Sequence, residues 1–141
     1  MTVALSSEAA QSGYLKIRVV GIAAAAGLVG AIPNPEGQLL QVVEGWFHLI
    51  TPSAAAATLN VGIGASAVAD YTDIVAAFPA NGGANTAWTV LARGASEAAA
   101  TGAQNGSLWA AANFLTVTSA AAACPALVGD LYLRYLRLSA A

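Results

Sequence analysis

The sequence predicts an all-β chain, an antiparallel β-sandwich or jelly roll of about eight strands with at most one short helix. Three observations carry this. Short segments rich in Val, Ile, Leu, Thr and aromatic residues recur along the chain, several of them alternating in the period of two that a strand imposes on its faces. Gly, Pro, Asn and Ser clusters separate them at short intervals, the chemistry of turns. No amphipathic stretch of about 10–15 residues lies between them, as a parallel α/β sheet would require.

The first strand is expected over residues 14–22, where Lys16 and Arg18 point to one side and Leu15, Ile17 and Val19 to the other, as in a half-buried strand. A second, residues 28–32, runs into the turn formed by Pro33, Asn34, Pro35, Glu36 and Gly37. Residues 39–51 form the long third, stopped by Thr51, Pro52 and Ser53, and residues 57–63 the fourth. Residues 70–78 are the one helical candidate, with Asp70 as its cap. Beyond the turn at Asn81, Gly82 and Gly83, strands are expected over residues 86–91, 107–111, 114–118 and 127–138, with Asn105 and Gly106 as a further turn. In the last strand Leu131, Leu133, Tyr135 and Arg137 oppose Tyr132, Arg134, Leu136 and Leu138. Both faces carry bulk, so both are expected to be covered, the second by a partner chain.

Alanine, with 36 residues, is the best helix former and argues superficially the other way. Its runs at residues 23–26, 54–57, 98–100 and 120–123 are short and sit beside Gly, Pro, Ser and Thr. No capping box introduces an apolar stripe of helical period, so they read as connectors and small-residue packing surfaces. The expected organisation is one β-sandwich domain over residues 13–141, preceded by an arm or loose segment over residues 1–12 in which Glu8 is the only charged side chain. The length suffices for a core without disulfide or metal staples.

Charged residues make up 9% of the chain and hydrophobic ones 57%, against about a quarter charged in an average domain. That composition excludes a disordered chain, which needs low hydrophobicity and high net charge. Five Lys and Arg against seven Asp and Glu, net charge -2, exclude a grip on nucleic acid, which rests on many phosphate contacts. The mean hydropathy of +0.66 raises the question of a membrane, and residues 45–69, 74–92 and 98–129 carry no charge. Each stretch is interrupted by turn residues such as Pro52, Pro79, Gly82, Gly106 and Pro125, so none reads as the continuous apolar segment of about 20 residues that a spanning helix needs. The N-terminus has neither a basic region nor a continuous apolar core, and so does not read as a secretory signal.

Side-chain catalysis needs acids, bases or nucleophiles converging on a pocket, and the chain has one His, one Cys and one Lys. His48 shares a strand face with Trp46 and Ile50 and no nucleophile elbow accompanies it, so it is expected to be a strand histidine with a hydrogen-bond partner. Cys124, between Ala123 and Pro125, has no neighbouring base and is expected to be a buried thiol. Asp70 and Asp73 are too few for a calcium loop and read as a cap and a solvated carboxylate. Gly62, Ile63 and Gly64 lack the rest of a dinucleotide fingerprint and suit a close backbone approach or a bulge. Trp46, Trp88 and Trp109, with Tyr14, Tyr71, Tyr132 and Tyr135, read first as core, with a sugar-stacking platform as the alternative use. No catalytic, cofactor-binding or metal residue is assigned, no cofactor is expected, and the chain is not expected to be an enzyme.

Four segments carry a resemblance. They are residues 31–37 (Ala-Ile-Pro-Asn-Pro-Glu-Gly) leading into the strand at 39–51, residues 57–63 (Ala-Thr-Leu-Asn-Val-Gly-Ile), residues 71–77 (Tyr-Thr-Asp-Ile-Val-Ala-Ala) and residues 126–135 (Ala-Leu-Val-Gly-Asp-Leu-Tyr-Leu-Arg-Tyr). In this order, over residues 28–138, they resemble small virion structural proteins of tailed bacteriophages, of the capsid decoration (cement) or head-fibre kind. The resemblance implies a β-sandwich, often trimeric, that binds the major capsid protein at the outer capsid surface without catalysis. Composition adds independent support: an alanine-rich, charge-poor exterior disfavours a free monomer and suits a surface covered by neighbours. The competing expectation is a carbohydrate-binding or adhesin module using Trp88 and Trp109 on an exposed face.

Overall fold

The computed structural model describes residues 11–23, 25–90 and 107–138. Nine strands run through the described residues: β1 (Ser12–Val20), β2 (Gly27–Pro33), β3 (Leu40–Thr51), β4 (Thr58–Gly64), β5 (Val75–Pro79), β6 (Thr86–Val90), β7 (Ser107–Trp109), β8 (Phe114–Ala120) and β9 (Val128–Arg137). They form two antiparallel sheets. Sheet A has the order β1-β9-β3-β6, with the short β7 also paired to β3, and sheet B has the order β2-β8-β4-β5. Apart from β7, the strands nest as β1 with β9, β2 with β8, β3 with β6 and β4 with β5. Nested antiparallel pairs wrapped into two facing sheets make a jelly roll, one of the two architectures the sequence predicts.

The core lies between the sheets and follows the period-two pattern. Leu40, Val42, Phe47 and Leu49 of β3 and Leu131, Leu133 and Tyr135 of β9 face Leu59, Val61 and Ile63 of β4 and Leu115 and Val117 of β8. Trp109 is fully buried, with its indole N–H donating to the Asn113 carbonyl at 3.0 Å. At one end, the turn between β2 and β3 is built on Asn34. Its amide oxygen accepts from the Glu36 and Gly37 N–H groups, both at 2.9 Å, and its amide nitrogen donates to the Gln38 and Trp109 carbonyls, both at 2.9 Å. The turn in turn presents Glu36 to β9, where it accepts from the Tyr135 hydroxyl at 2.7 Å and from the Arg137 guanidinium at 2.5 and 2.6 Å. These bonds, Arg137 first and Tyr135 second, pull the Glu36 carboxyl down to about 2.

Two expectations need correction. Residues 70–78 form no helix: the stretch is a loop followed by β5, which pairs with β4. The Asp70 carboxylate is not free to cap, because it accepts from Thr118 Oγ1 at 2.6 Å and Asn60 Nδ2 at 3.0 Å. Ala77 has φ 53°, outside any right-handed helix. Phe78 is buried edge-on against Phe47, their ring centroids 4.8 Å apart. The strand expected at residues 107–111 is shorter, ending at Trp109, because the following turn closes through an Asn113 N–H to Ala110 carbonyl bond at 3.0 Å. The alanine run at 98–100, the turn at Asn105 and Gly106, and residues 1–10 of the N-terminal segment lie outside the described residues.

Candidate functional site

Sheets A and B each turn one face to the core and one away from it, and the two outer faces differ. On sheet B the central outward positions of β4 and β8 are Asn60, Gly62, Thr116 and Thr118, all polar or without a side chain. The segment between β4 and β5 folds back over them. Thr116 Oγ1 donates to the Ala69 carbonyl at 2.9 Å, Thr118 and Asn60 donate to Asp70, and the Asn60 amide oxygen accepts from the Ala77 N–H at 2.8 Å. Asp73 accepts from the Ile63 N–H at 2.8 Å. Tyr71 lies flat on the two glycines of β4: a Cβ at Gly64 would stand 2.1 Å from its ring, and one at Gly62 would stand 2.2 Å from Asp73 Oδ1. The close approach expected of Gly62 and Gly64 is therefore made by the chain itself. Asp70 caps no helix; Asp70 and Asp73, both exposed, accept the hydrogen bonds that hold this loop to the sheet.

On sheet A the outward residues align in rows across β1, β9, β3 and β6. One row is Arg18, Asp130, His48 and Ala87; the next is Lys16, Tyr132, Trp46 and Thr89; the third is Tyr14, Arg134 and Glu44. Asp130 is 3% exposed even though it points outward, because Arg18 and Lys16 lie over it. Arg18 donates to its two oxygens at 2.5 and 3.1 Å, and Lys16 reaches it at 3.3 Å. The Arg18 bonds hold the Asp130 carboxyl below the usual range against the opposing effect of burial. Arg134 pairs with Glu44. Between these ion pairs stand aromatic rings in solvent: Tyr14 is 74% exposed, Trp46 40% and Tyr132 38%, and the Lys16 ammonium sits 5.8 Å from the Tyr132 ring centroid. Leu108 of β7 and Val20 of β1 extend the exposed apolar surface at its margins.

The remaining sequence candidates fall as follows. His48 is half-buried on the sheet A face opposite Asp130, and among the described residues its ring has no hydrogen-bond partner, unlike the expectation. Cys124 is buried. Trp109 is buried and presents no surface to a glycan, which corrects its place in an exposed platform. Trp88 is exposed at the sheet margin, edge-on to Phe78 at 5.6 Å, with its N–H donating to Thr86 Oγ1. Trp46 and Tyr132 instead form the exposed aromatic pair. The signal that could have found them was the alternation that set Trp46 with His48 and Ile50 on one face, and Tyr132 with Arg134. Among the described residues no three His, Cys, Asp or Glu side chains converge as metal ligands, and no helix is long and apolar enough to cross a membrane.

No family model and no curated protein matches this chain. Among solved structures, a chain of the capsid of Ralstonia phage GP4 is similar over 99% of this chain and 92% of its own length, with a TM-score of 0.51 and 18% sequence identity. At that identity the likeness is one of fold.

Proposed function

We propose that the chain is a non-enzymatic virion structural protein, a capsid decoration (cement) or head-fibre subunit that binds the outer surface of a phage capsid and stabilises it by protein-protein contact. The observation that carries this reading is the outer face of sheet A. Its aromatic rings and ion pairs are left in solvent on a jelly roll that resembles a chain of a phage capsid. Aromatic and Arg side chains are the residues enriched where proteins meet, and contiguous exposed apolar surface marks interaction sites. The partner is the major capsid protein, the location is the capsid surface, and the oligomer is a homotrimer. Few charges elsewhere suit a subunit whose surface is shared with neighbours.

The test is co-purification with assembled capsids. Saturable occupancy is expected, falling at least about tenfold for Trp46→Ala or Tyr132→Ala, a loss within the range of a central interface residue. Unchanged occupancy in both variants removes sheet A from the contact. Light scattering after size exclusion is expected to give a trimer, and a monodisperse monomer over a wide concentration range overturns that part.

A second reading is favoured by one specific observation: Trp46 and Tyr132 are side by side on an open sheet face, a geometry on which a sugar ring can stack. In that case the chain is a carbohydrate-binding or adhesin module for host-surface attachment. Saturable binding on a glycan array, lost in Trp46→Ala while capsid occupancy is unchanged, would select it.

A further inference from the structure

The outer face of sheet A carries a cation cluster that its own carboxylates neutralise only in part. Arg18 and Lys16 both bear on the one buried Asp130 carboxylate, and each of their side chains remains 53% exposed. Arg134 has its own carboxylate in Glu44. The outward rows thus hold three cations against two carboxylates, in a chain whose net charge is -2. The bonds at Arg18 show which part of the cluster is spare. Nε donates to Asp130 Oδ1 at 2.5 Å and Nη2 to Oδ2 at 3.1 Å, so Asp130 occupies the side-on edge of the guanidinium plane. The end-on edge, Nη1 with the second hydrogen of Nη2, meets no acceptor among the described residues.

A guanidinium edge matches a carboxylate in spacing, and the paired bonds are charge-assisted. Asp130 already fixes the Arg18 plane, so a second carboxylate can be taken with little further ordering of the side chain. A phosphate-rich partner would need many such cations, and this face has one in surplus. The adjoining row sets Tyr132 and Trp46 beside Lys16, with Tyr14 one row further on, all three in solvent. The spare edge therefore stands in an aromatic setting. We propose that the end-on edge of Arg18, with the Lys16 ammonium beside it, takes an Asp or Glu carboxylate of the major capsid protein, and that Tyr132 and Trp46 pack on the apolar side chains next to that carboxylate. This rests on the capsid reading and adds the chemistry of the surface that is bound, an acidic residue among apolar ones.

The test measures affinity for assembled capsids that lack this protein, using the wild type and Arg18→Lys, which keeps a cation over Asp130 but has no fork. Both are measured again on capsids whose carboxyl groups have been amidated with a carbodiimide and glycinamide, checked as intact by microscopy. On native capsids Arg18→Lys is expected to bind at least about tenfold more weakly, and on amidated capsids the two chains are expected to bind alike. Equal binding to native capsids overturns the carboxylate contact and leaves the capsid reading standing; binding to a sialylated glycan array that Arg18→Lys then loses gives the edge to an acidic sugar instead. A tenfold difference that persists on amidated capsids overturns the proposal in favour of an uncharged acceptor or a folding defect in the variant. No binding of the wild type to native capsids overturns the capsid reading and this contact together.

Discussion

The outer face of sheet B and that of sheet A are built from the same kind of alternating strand, yet one is closed and the other open. On sheet B, glycines at positions 62 and 64 let Tyr71 and Asp73 approach the backbone, and Asn60, Thr116 and Thr118 bond to the covering loop. On sheet A the outward positions include large aromatic and charged side chains: Lys16 and Arg18 pair with Asp130 and Arg134 with Glu44, while Tyr14, Trp46 and Tyr132 stay in solvent. The difference teaches that openness here is specified by side-chain size: small and polar residues invite the chain's own cover, and bulky ones hold the surface available to something else.

Substitutions that act on one face only make this contrast measurable. The largest expected effect is Gly62→Val, whose side chain collides with Tyr71 and Asp73; lifting the loop costs about 3 kcal/mol, or about 10 °C in thermal midpoint. An unchanged midpoint would mean that the loop does not need its glycines. Thr118→Val removes the 2.6 Å bond to Asp70 and is expected to cost about 1–2 kcal/mol in denaturant unfolding.

Acid probes the sheet A side, where Asp130 and Glu36 are both held below ordinary carboxylate values, Glu36 at about 2 against 4.5. Since the depressed value belongs to the folded state, this stabilisation is present above the ordinary range and is lost as pH falls through it toward 2. The thermal midpoint is expected to drop across that window, and Arg137→Gln to flatten the part due to Glu36. A flat wild-type profile would contradict the bonding described.

Trp46→Ala with Tyr132→Ala, by contrast, is expected to change stability by no more than about 1 kcal/mol, because both rings already meet solvent. A larger loss by chemical denaturation would show that the face is held by the fold and is not spare. Smallest of all, Lys16→Gln removes one arm of the pair on Asp130 and is expected to cost at most about 0.5 kcal/mol, with the difference vanishing in high salt.

Much of this was legible from alternation and turns. Lys16 and Arg18 against Ile17 and Val19 placed β1, and the Gly and Pro punctuation separated the strands. The stretch at residues 70–78 misled because Asp70 beside an alanine-containing apolar run is also how a helix begins. What decided it was Asn60 and Thr118, distant in sequence, which take up the Asp70 carboxylate. The candidate site was less legible. Trp46, Trp88 and Trp109 all lie in strands with apolar neighbours, and which of them is buried depends on which face of its strand meets the other sheet. Register supplies that information, and pairings such as Trp46 with Tyr132 join residues far apart along the chain.

The nesting of the strands also sets a timetable. Among the described residues β1 and β2 pair only with β9 and β8, so during synthesis at about 5–20 residues per second these pairings wait on the order of ten seconds for the second strand to be made. Pairings this distant slow folding and leave edges exposed to other nascent chains. The two strands that wait carry their own protection: Lys16 and Arg18 put charge on β1, and Gly30 and Pro33 weaken β2 as a template. The same Lys16 and Arg18 that later cover Asp130 thus serve first as guards against premature pairing between chains.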